Sequence, residues 1–231
     1  MDYFIIRCTI KKNFEKLRIM RTIAIPLLAV LLISSCNSRR ESLFNGKDLE
    51  GWTIFVDDPS VVPEEFFYVK DGVIETIGIP NGYLRTVKSY SDYHLHVEWR
   101  YPDEPVNSGV FVHTSGPDLL WPAHYQGQLK HGFAGDFIVH GVGEVATIRD
   151  TVYTSSAEVK PVVPKEHPSN ENPAGQWNSY DIICTGNSVE LRVNGLLQNV
   201  ATGCSLTSGN IGLQAEGSRI QFRNLWIEPV K

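Results

Sequence analysis

From Leu43 onward no helical apolar period lasts for three turns. Short apolar or alternating runs recur instead between Gly, Asn, Asp and Pro. That punctuation confines the chain to strands joined by tight reversals. The clearest stretch begins at Trp177-Asn178-Ser179-Tyr180, reverses at Asn194-Gly195, continues through Ile211-Gly212-Leu213-Gln214 and ends in Phe222-Arg223-Asn224-Leu225-Trp226-Ile227. Asp71-Gly72 and Asn194-Gly195 are strong two-residue hairpin turns, because both central positions of such a turn require positive φ; Gly186-Asn187 is a weaker one. Strands are expected at 52–56, 66–70, 73–77, 83–87, 93–101, 109–114, 125–130, 136–140, 145–148, 177–185, 189–193, 210–215 and 219–228. So many antiparallel strands predict an all-β jelly-roll sandwich of two antiparallel sheets. The proline-rich span 159–176 reads as a long ordered loop at the rim, where lids and mere variation both occur.

Residues 1–35 fall outside this pattern. Basic residues through Arg21 precede an apolar run at 23–33 and then Ser34-Ser35-Cys36, the order of a bacterial lipoprotein signal in which Cys36 carries the lipid. The run is shorter than the roughly 20 residues that a spanning helix needs. On this reading Met20 is the true start, 37–41 is a short tether, and 42–231 is one domain held at the periplasmic or outer-membrane side of the envelope. An ordinary cleaved signal or a short buried segment is the alternative. Six of the 21 Lys/Arg and two of the 26 Asp/Glu lie in residues 1–35, so the remainder carries 15 against 24 and a net charge of −9. That balance argues against nucleic-acid binding, which needs a basic surface. With Cys8 set aside and Cys36 lipidated, Cys184 and Cys204 remain, either bridged in an oxidising compartment or present as two buried thiols.

Alternation assigns faces. In 93–101 Leu95, Val97 and Trp99 turn to the core, leaving His94, His96, Glu98 and Arg100 on the opposite side. The same parity buries Val110, Val112, Tyr125, Leu129, Ile211, Leu213 and Ala215, and turns Phe111, His113, Gln126, Gln128, Lys130, Gln214 and Glu216 outward. If these strands share a sheet, one polar face carries Glu98, Arg100, His113, Gln126, Gln128, Gln214 and Glu216, more hydrogen-bonding capacity than a structural surface requires.

The chain is similar to the bacterial 3-keto-disaccharide hydrolase domain family over about residues 42–229. The likeness rests on Leu43-Phe44-Asn45-Gly46-Lys47, Gly51-Trp52, Asp71-Gly72-Val73-Ile74, Glu98-Trp99-Arg100, Asn107-Ser108-Gly109-Val110-Phe111, Ala134-Gly135-Asp136-Phe137, Ile211-Gly212-Leu213-Gln214 and Phe222-Arg223-Asn224. The resemblance implies a concanavalin/laminin-G-like jelly roll acting on glycosides oxidised at the sugar C3. Two departures stand out. Gln126-Gly127-Gln128 replaces a Glu-x-Gln common in the family, and His113 stands where Arg is common.

A ketone at C3 acidifies the C2 proton; its removal gives an enolate that expels the C1 aglycone, after which water can add. The route needs a base near C2 and a donor or positive group near the ketone oxygen. The sequence nominates Glu98 as base, Arg100 or His113 as enolate partner, and Gln126, Gln128, Asp136, Gln214 and Glu216 as sugar contacts. No cofactor is demanded, although a divalent metal is compatible: His94 and His96 have ligand spacing on a strand, against the plainer reading of a solvated pair. Glu98 beside Arg100 could equally be a surface charge pair. The rival function is a non-catalytic carbohydrate-binding module stacking sugars on Phe111, Trp121 or Tyr125, and a structural lipoprotein is a third.

Overall fold

The computed structural model describes residues 40–230. The signal segment, Met20 and Cys36 therefore lie outside the described residues. In chain order the strands are β1 (Glu41–Ser42), β2 (Trp52–Val56), β3 (Phe67–Lys70), β4 (Val73–Thr76), β5 (Gly82–Thr86), β6 (Tyr93–Arg100), β7 (Gly109–Ser115), β8 (Ala123–Gln128) and β9 (Phe137–His140). They continue as β10 (Val145–Ile148), β11 (Thr151–Thr154), β12 (Val162–Val163), β13 (Asn178–Thr185), β14 (Ser188–Val193), β15 (Leu196–Ala201), β16 (Asn210–Ala215) and β17 (Ile220–Pro229). A single helical turn, α1 (Pro63–Phe66), precedes β3. No helix among the described residues is long and apolar enough to cross a membrane.

Two antiparallel sheets face each other. One runs β15-β14-β13-β6-β17-β4-β3, with β1 also paired to β17; the other runs β12-β9-β8-β7-β16-β5-β2, and β10-β11 form a separate hairpin. They are called here the β6 sheet and the β7 sheet. The expected sandwich is thus present, with its strong turns where the sequence put them: Asp71 and Gly72 join β3 to β4 with φ of 52° and 76°, and Asn194 and Gly195 join β14 to β15 with φ of 46° and 80°. Glu41, expected in the tether, already pairs with Ile227.

Alternation fills the space between the sheets. Leu95, Val97, Trp99, Tyr180 and Phe222 come from the β6 sheet and meet Val110, Tyr125, Phe137 and Leu213 of the β7 sheet in one core. Each such side chain contributes about 1.5–3 kcal/mol on burial. Cys184 and Cys204 are both free and buried, so the buried-thiol alternative holds and there is no bridge. The 159–176 loop is fastened rather than loose. Val162 and Val163 add to the edge of β9, and Asn170 and Asn172 bond Val193 O and Trp177 O at the ends of β14 and β13.

Candidate functional site

The outer face of the β7 sheet concentrates polar groups that the sandwich itself does not need. Gly109 pairs with Gln128, Phe111 with Gln126, Gly212 with Phe111 and Gln214 with Tyr83, so the three glutamines stand on one face. Gln126 lies over Gly109: a Cβ built there would sit 2.5 Å from Gln126 Nε2. This glycine lets the amide cross β7 and reach β16. Gln126 Nε2 donates to Gln128 Oε1 at 3.1 Å and to Gln214 Oε1 at 3.2 Å. Gln214 Nε2 in turn donates to Glu216 Oε2 at 2.8 Å, and Asn107 Nδ2 donates to the same oxygen at 2.8 Å.

The amide chain therefore ends on a carboxylate. Burial raises the Glu216 pKa above the ordinary value, against the bond from Asn107 and the charges of Lys160 and Lys130. Every other described Asp or Glu with a resolved shift moves downward. A carboxylate made more basic by its surroundings is the form a general base takes.

Beside the amides runs an aromatic row. The Phe55 and Tyr83 rings stack at 5.1 Å, Phe111 lies 5.9 Å from Tyr83, His124 stacks on Phe111 at 3.8 Å, and His140 stacks on His124 at 4.2 Å. Trp121 meets Phe111 edge-on, and Asp118 binds the Tyr83 hydroxyl and holds Arg85 through two bonds of 2.8 Å. The His124 Nδ1–H donates to Pro122 O at 2.7 Å, which leaves Nε2 as a lone pair buried without a hydrogen-bond partner. Burial, the neighbouring His140 and Lys160 hold His124 well below the ordinary histidine range; burial and Lys160 take His140 down to about 3. Both imidazoles are neutral at pH 7.

Glu98 and Arg100 do not belong to this face. They project from β6 on the outer side of the opposite sheet, so the core separates them from Gln126, Gln128 and Gln214. The expected single surface is corrected at this point: parity told outward from inward, and the chain has two outward faces. On the β6 sheet Glu98 is fully engaged, its Oε2 accepting from Arg223 Nε at 2.6 Å and its Oε1 from Asn224 Nδ2 at 2.9 Å. Burial pushes its pKa up, but these bonds outweigh it and hold the carboxyl below the usual range. Arg100 donates to Gln221 Oε1 at 2.7 Å and lies over the Trp177 ring. His94 and His96 both bond Asp181 Oδ1 at 2.8 Å. Among the described residues no group of three or more His, Cys, Asp or Glu is placed to hold a metal ion.

His113 is also elsewhere. A bulge in β7 after Val112 puts it at φ 55°, which swings its ring inward against Tyr93 of the β6 sheet, where Nδ1 bonds Leu206 O. It is buried, and desolvation lowers its pKa. Asp136 is equally withdrawn from any ligand, its Oδ1 accepting from the Lys165 amide at 2.9 Å. Nor are Phe111 and Tyr125 open stacking platforms, because both are fully buried. The sequence-nominated residues that the structure brings together are Gln126, Gln128, Gln214 and Glu216. Those missed were Arg85, Asp118 and His140, of which Arg85 and His140 had a signal, their outward parity on the expected strands 83–87 and 136–140.

A family model described as a 3-keto-alpha-glucoside-1,2-lyase-like domain matches residues 39–228. No curated protein matches the chain. Among solved structures, a candidate glycosyl hydrolase from Parabacteroides distasonis superposes with a TM-score of 0.60 at 23% identity, covering 83% of this chain and 94% of its own. A carbohydrate-binding module from Bacillus subtilis gives a TM-score of 0.53 at 12% identity, covering 77% and 95%. A Bacillus licheniformis β-glucanase gives 0.52 at 15%, covering 82% and 97%. At these identities the likeness is one of fold.

Proposed function

We propose that this chain, which belongs to the 3-keto-alpha-glucoside-1,2-lyase-like family, cleaves 3-keto-glycosides on the outer face of the β7 sheet, with Glu216 as the base that removes the C2 proton. One observation carries the proposal: Glu216, a carboxyl that burial makes more basic, ends a chain of three glutamine amides. The chemistry suits that arrangement. A base of modestly raised pKa is matched to a proton acidified by the neighbouring ketone. Gln128, whose side-chain Nε2 makes no bond among the described residues, and Asn107 read sugar hydroxyls, while Gln126 and Gln214 hold the carboxylate and the amides in register. Elimination of the aglycone gives a lyase product; addition of water at C1 makes the net reaction a hydrolysis.

Gln126 favours a second reading. With an amide where the family resemblance implies that a carboxylate is common, the same face serves a carbohydrate-binding module without turnover. Incubating residues 37–231 with a disaccharide and with its 3-keto form separates the two. Sugar release from the oxidised form alone supports the enzyme, while saturable binding of either form without release would replace it with the module. We further propose that Cys36 carries a lipid and holds the domain at the bacterial envelope, supported by the order of basic, apolar and small residues before it. Cys36→Ser should then abolish incorporation of labelled palmitate; labelling that persists would refute the anchor.

A further inference from the structure

We propose that the turn joining β8 to β9 is the subsite that receives the leaving group, with Phe133 packing against its ring and the Lys130 ammonium donating to its oxygens; the assignment rests on the reading of the site given above. Its place follows from register. Gln128 pairs with Gly109, and the bonds from Leu129 N to Ser108 O at 2.9 Å and from His131 N to Val106 O at 3.2 Å carry that alignment past the end of β8. Lys130 therefore stands opposite Asn107, which in turn bridges Glu216. Glu216, Asn107 and Lys130 form one cross-strand row on the face that holds the glutamines, two strand spacings or about 10 Å from end to end. A backbone bond ties the row to the amide chain: Gln128 Oε1, which accepts from Gln126, also accepts from Lys130 N at 3.2 Å.

The turn itself is braced. Phe133 N donates to Lys130 O at 2.8 Å, Asp136 N to Phe133 O at 3.0 Å and Gly135 N to Gln128 O at 3.2 Å, while Lys165 Nζ clamps the tip through Gly132 O at 2.7 Å. That framework holds a large apolar ring in the open, since Phe133 is 48% exposed. An isolated exposed phenylalanine is ordinary on a protein surface. This one has the ammonium groups of Lys130 and Lys165 each 5.2 Å from its ring centroid, and its turn begins where the Glu216 row ends. Lys165 is committed to Gly132 O and Asp136, whereas the exposed Lys130 side chain makes no hydrogen bond or ion pair among the described residues.

The chemistry matches that placement. Glu216 takes its proton from C2, and the group that departs is carried by the neighbouring C1, so the leaving group must lie next to the ring held over the carboxylate. Along the row toward Lys130 it meets an aromatic face suited to the C–H side of a ring and an ammonium suited to its hydroxyls. The leaving group assigned to this subsite is therefore cyclic and hydroxylated; a small acyclic one would reach neither side chain. The charge of Lys130 is also felt at Glu216, where it opposes the effect of burial.

The test uses two substrates with the same oxidised sugar, maltose carrying the ketone at C3 of its non-reducing glucose and trifluoroethyl 3-keto-α-glucoside, with the protein lacking only residues 1–36. Each variant is compared with wild type on the same substrate, so intrinsic leaving ability cancels. Phe133→Ala and Phe133→Leu should each lower kcat/KM for the keto-maltose at least about tenfold, in the range of losing one packed apolar contact. Lys130→Met should cost about tenfold on that substrate, as for one hydrogen bond from a charged donor. All three should stay within about threefold of wild type on the trifluoroethyl glycoside, a split that a merely structural role would not produce. The inference is overturned if the three variants lose rate equally on both substrates, or keep keto-maltose cleavage within about threefold, while wild type cleaves both. A wild-type protein that cleaves only the trifluoroethyl glycoside also overturns it, and one that cleaves neither overturns the reading of the site as well.

Discussion

Gly109→Ala probes the packing on which the amide chain depends. The backbone tolerates alanine there, so any effect comes from the new methyl, whose carbon would sit 2.5 Å from Gln126 Nε2, 2.7 Å from Cδ and 2.8 Å from Cγ. Gln126 is buried and must move, giving up its bonds to Gln128 and Gln214. Two neutral hydrogen bonds at about 0.5–1.5 kcal/mol each, plus a stranded buried amide at about 1–3, give an expected loss of roughly 2–6 kcal/mol. For a domain of this size that lowers Tm by roughly 4–24 °C. The decisive assay is a double-mutant cycle in urea. With Gln126→Ala the space is empty, and adding Gly109→Ala should cost less than about 0.5 kcal/mol, so the two sites couple by at least about 1.5 kcal/mol. An equal cost in both backgrounds would refute the argument that Gly109 exists to let Gln126 cross the strand.

Two further outcomes follow from buried titratable groups. The folded pKa of His140 lies at about 3, below the ordinary 6.5, so the stability it contributes is whole above pH 6.5 and is lost as pH falls toward 3. Between pH 6.5 and 5 this amounts to up to about 2 kcal/mol, and His140→Phe, which keeps the ring stack, should flatten the pH dependence of the urea midpoint by that amount; an unchanged slope would count against a neutral buried imidazole. Burial also pushes the Cys184 and Cys204 thiols up to about 12. Neither should react with a thiol reagent in the native protein at pH 8, both should react once it is unfolded, and rapid labelling of either in the native state would contradict the packing.

The sandwich was legible because its signals are local. Apolar parity along β6 and β16, and the positive-φ turns at Asp71-Gly72 and Asn194-Gly195, depend on neighbours in sequence alone. Four strands gave no such signal. β1 and β12 have two residues each, β11 follows a reversal at Arg149 and Asp150, both at positive φ without a glycine, and β15 buries the polar Gln198 and Asn199. The site was half legible for a related reason. Parity placed Gln126, Gln128, Gln214 and Glu216 outward, but nothing local tells that β6 and β7, consecutive in the chain, lie in opposite sheets. That assignment moved Glu98 and Arg100 away. The β7 bulge moved His113, since one residue at positive φ reverses the side on which a side chain emerges.

The proposed chemistry resides on the β7 sheet and not on the β6 sheet. It is tested most directly by measuring nitrophenol release from a nitrophenyl 3-keto-α-glucoside with Glu216→Gln and Glu98→Gln side by side. Glu216→Gln should lose at least about 10³-fold in kcat while Glu98→Gln stays within about threefold of wild type. A protein that survives Glu216→Gln and is silenced by Glu98→Gln would contradict it.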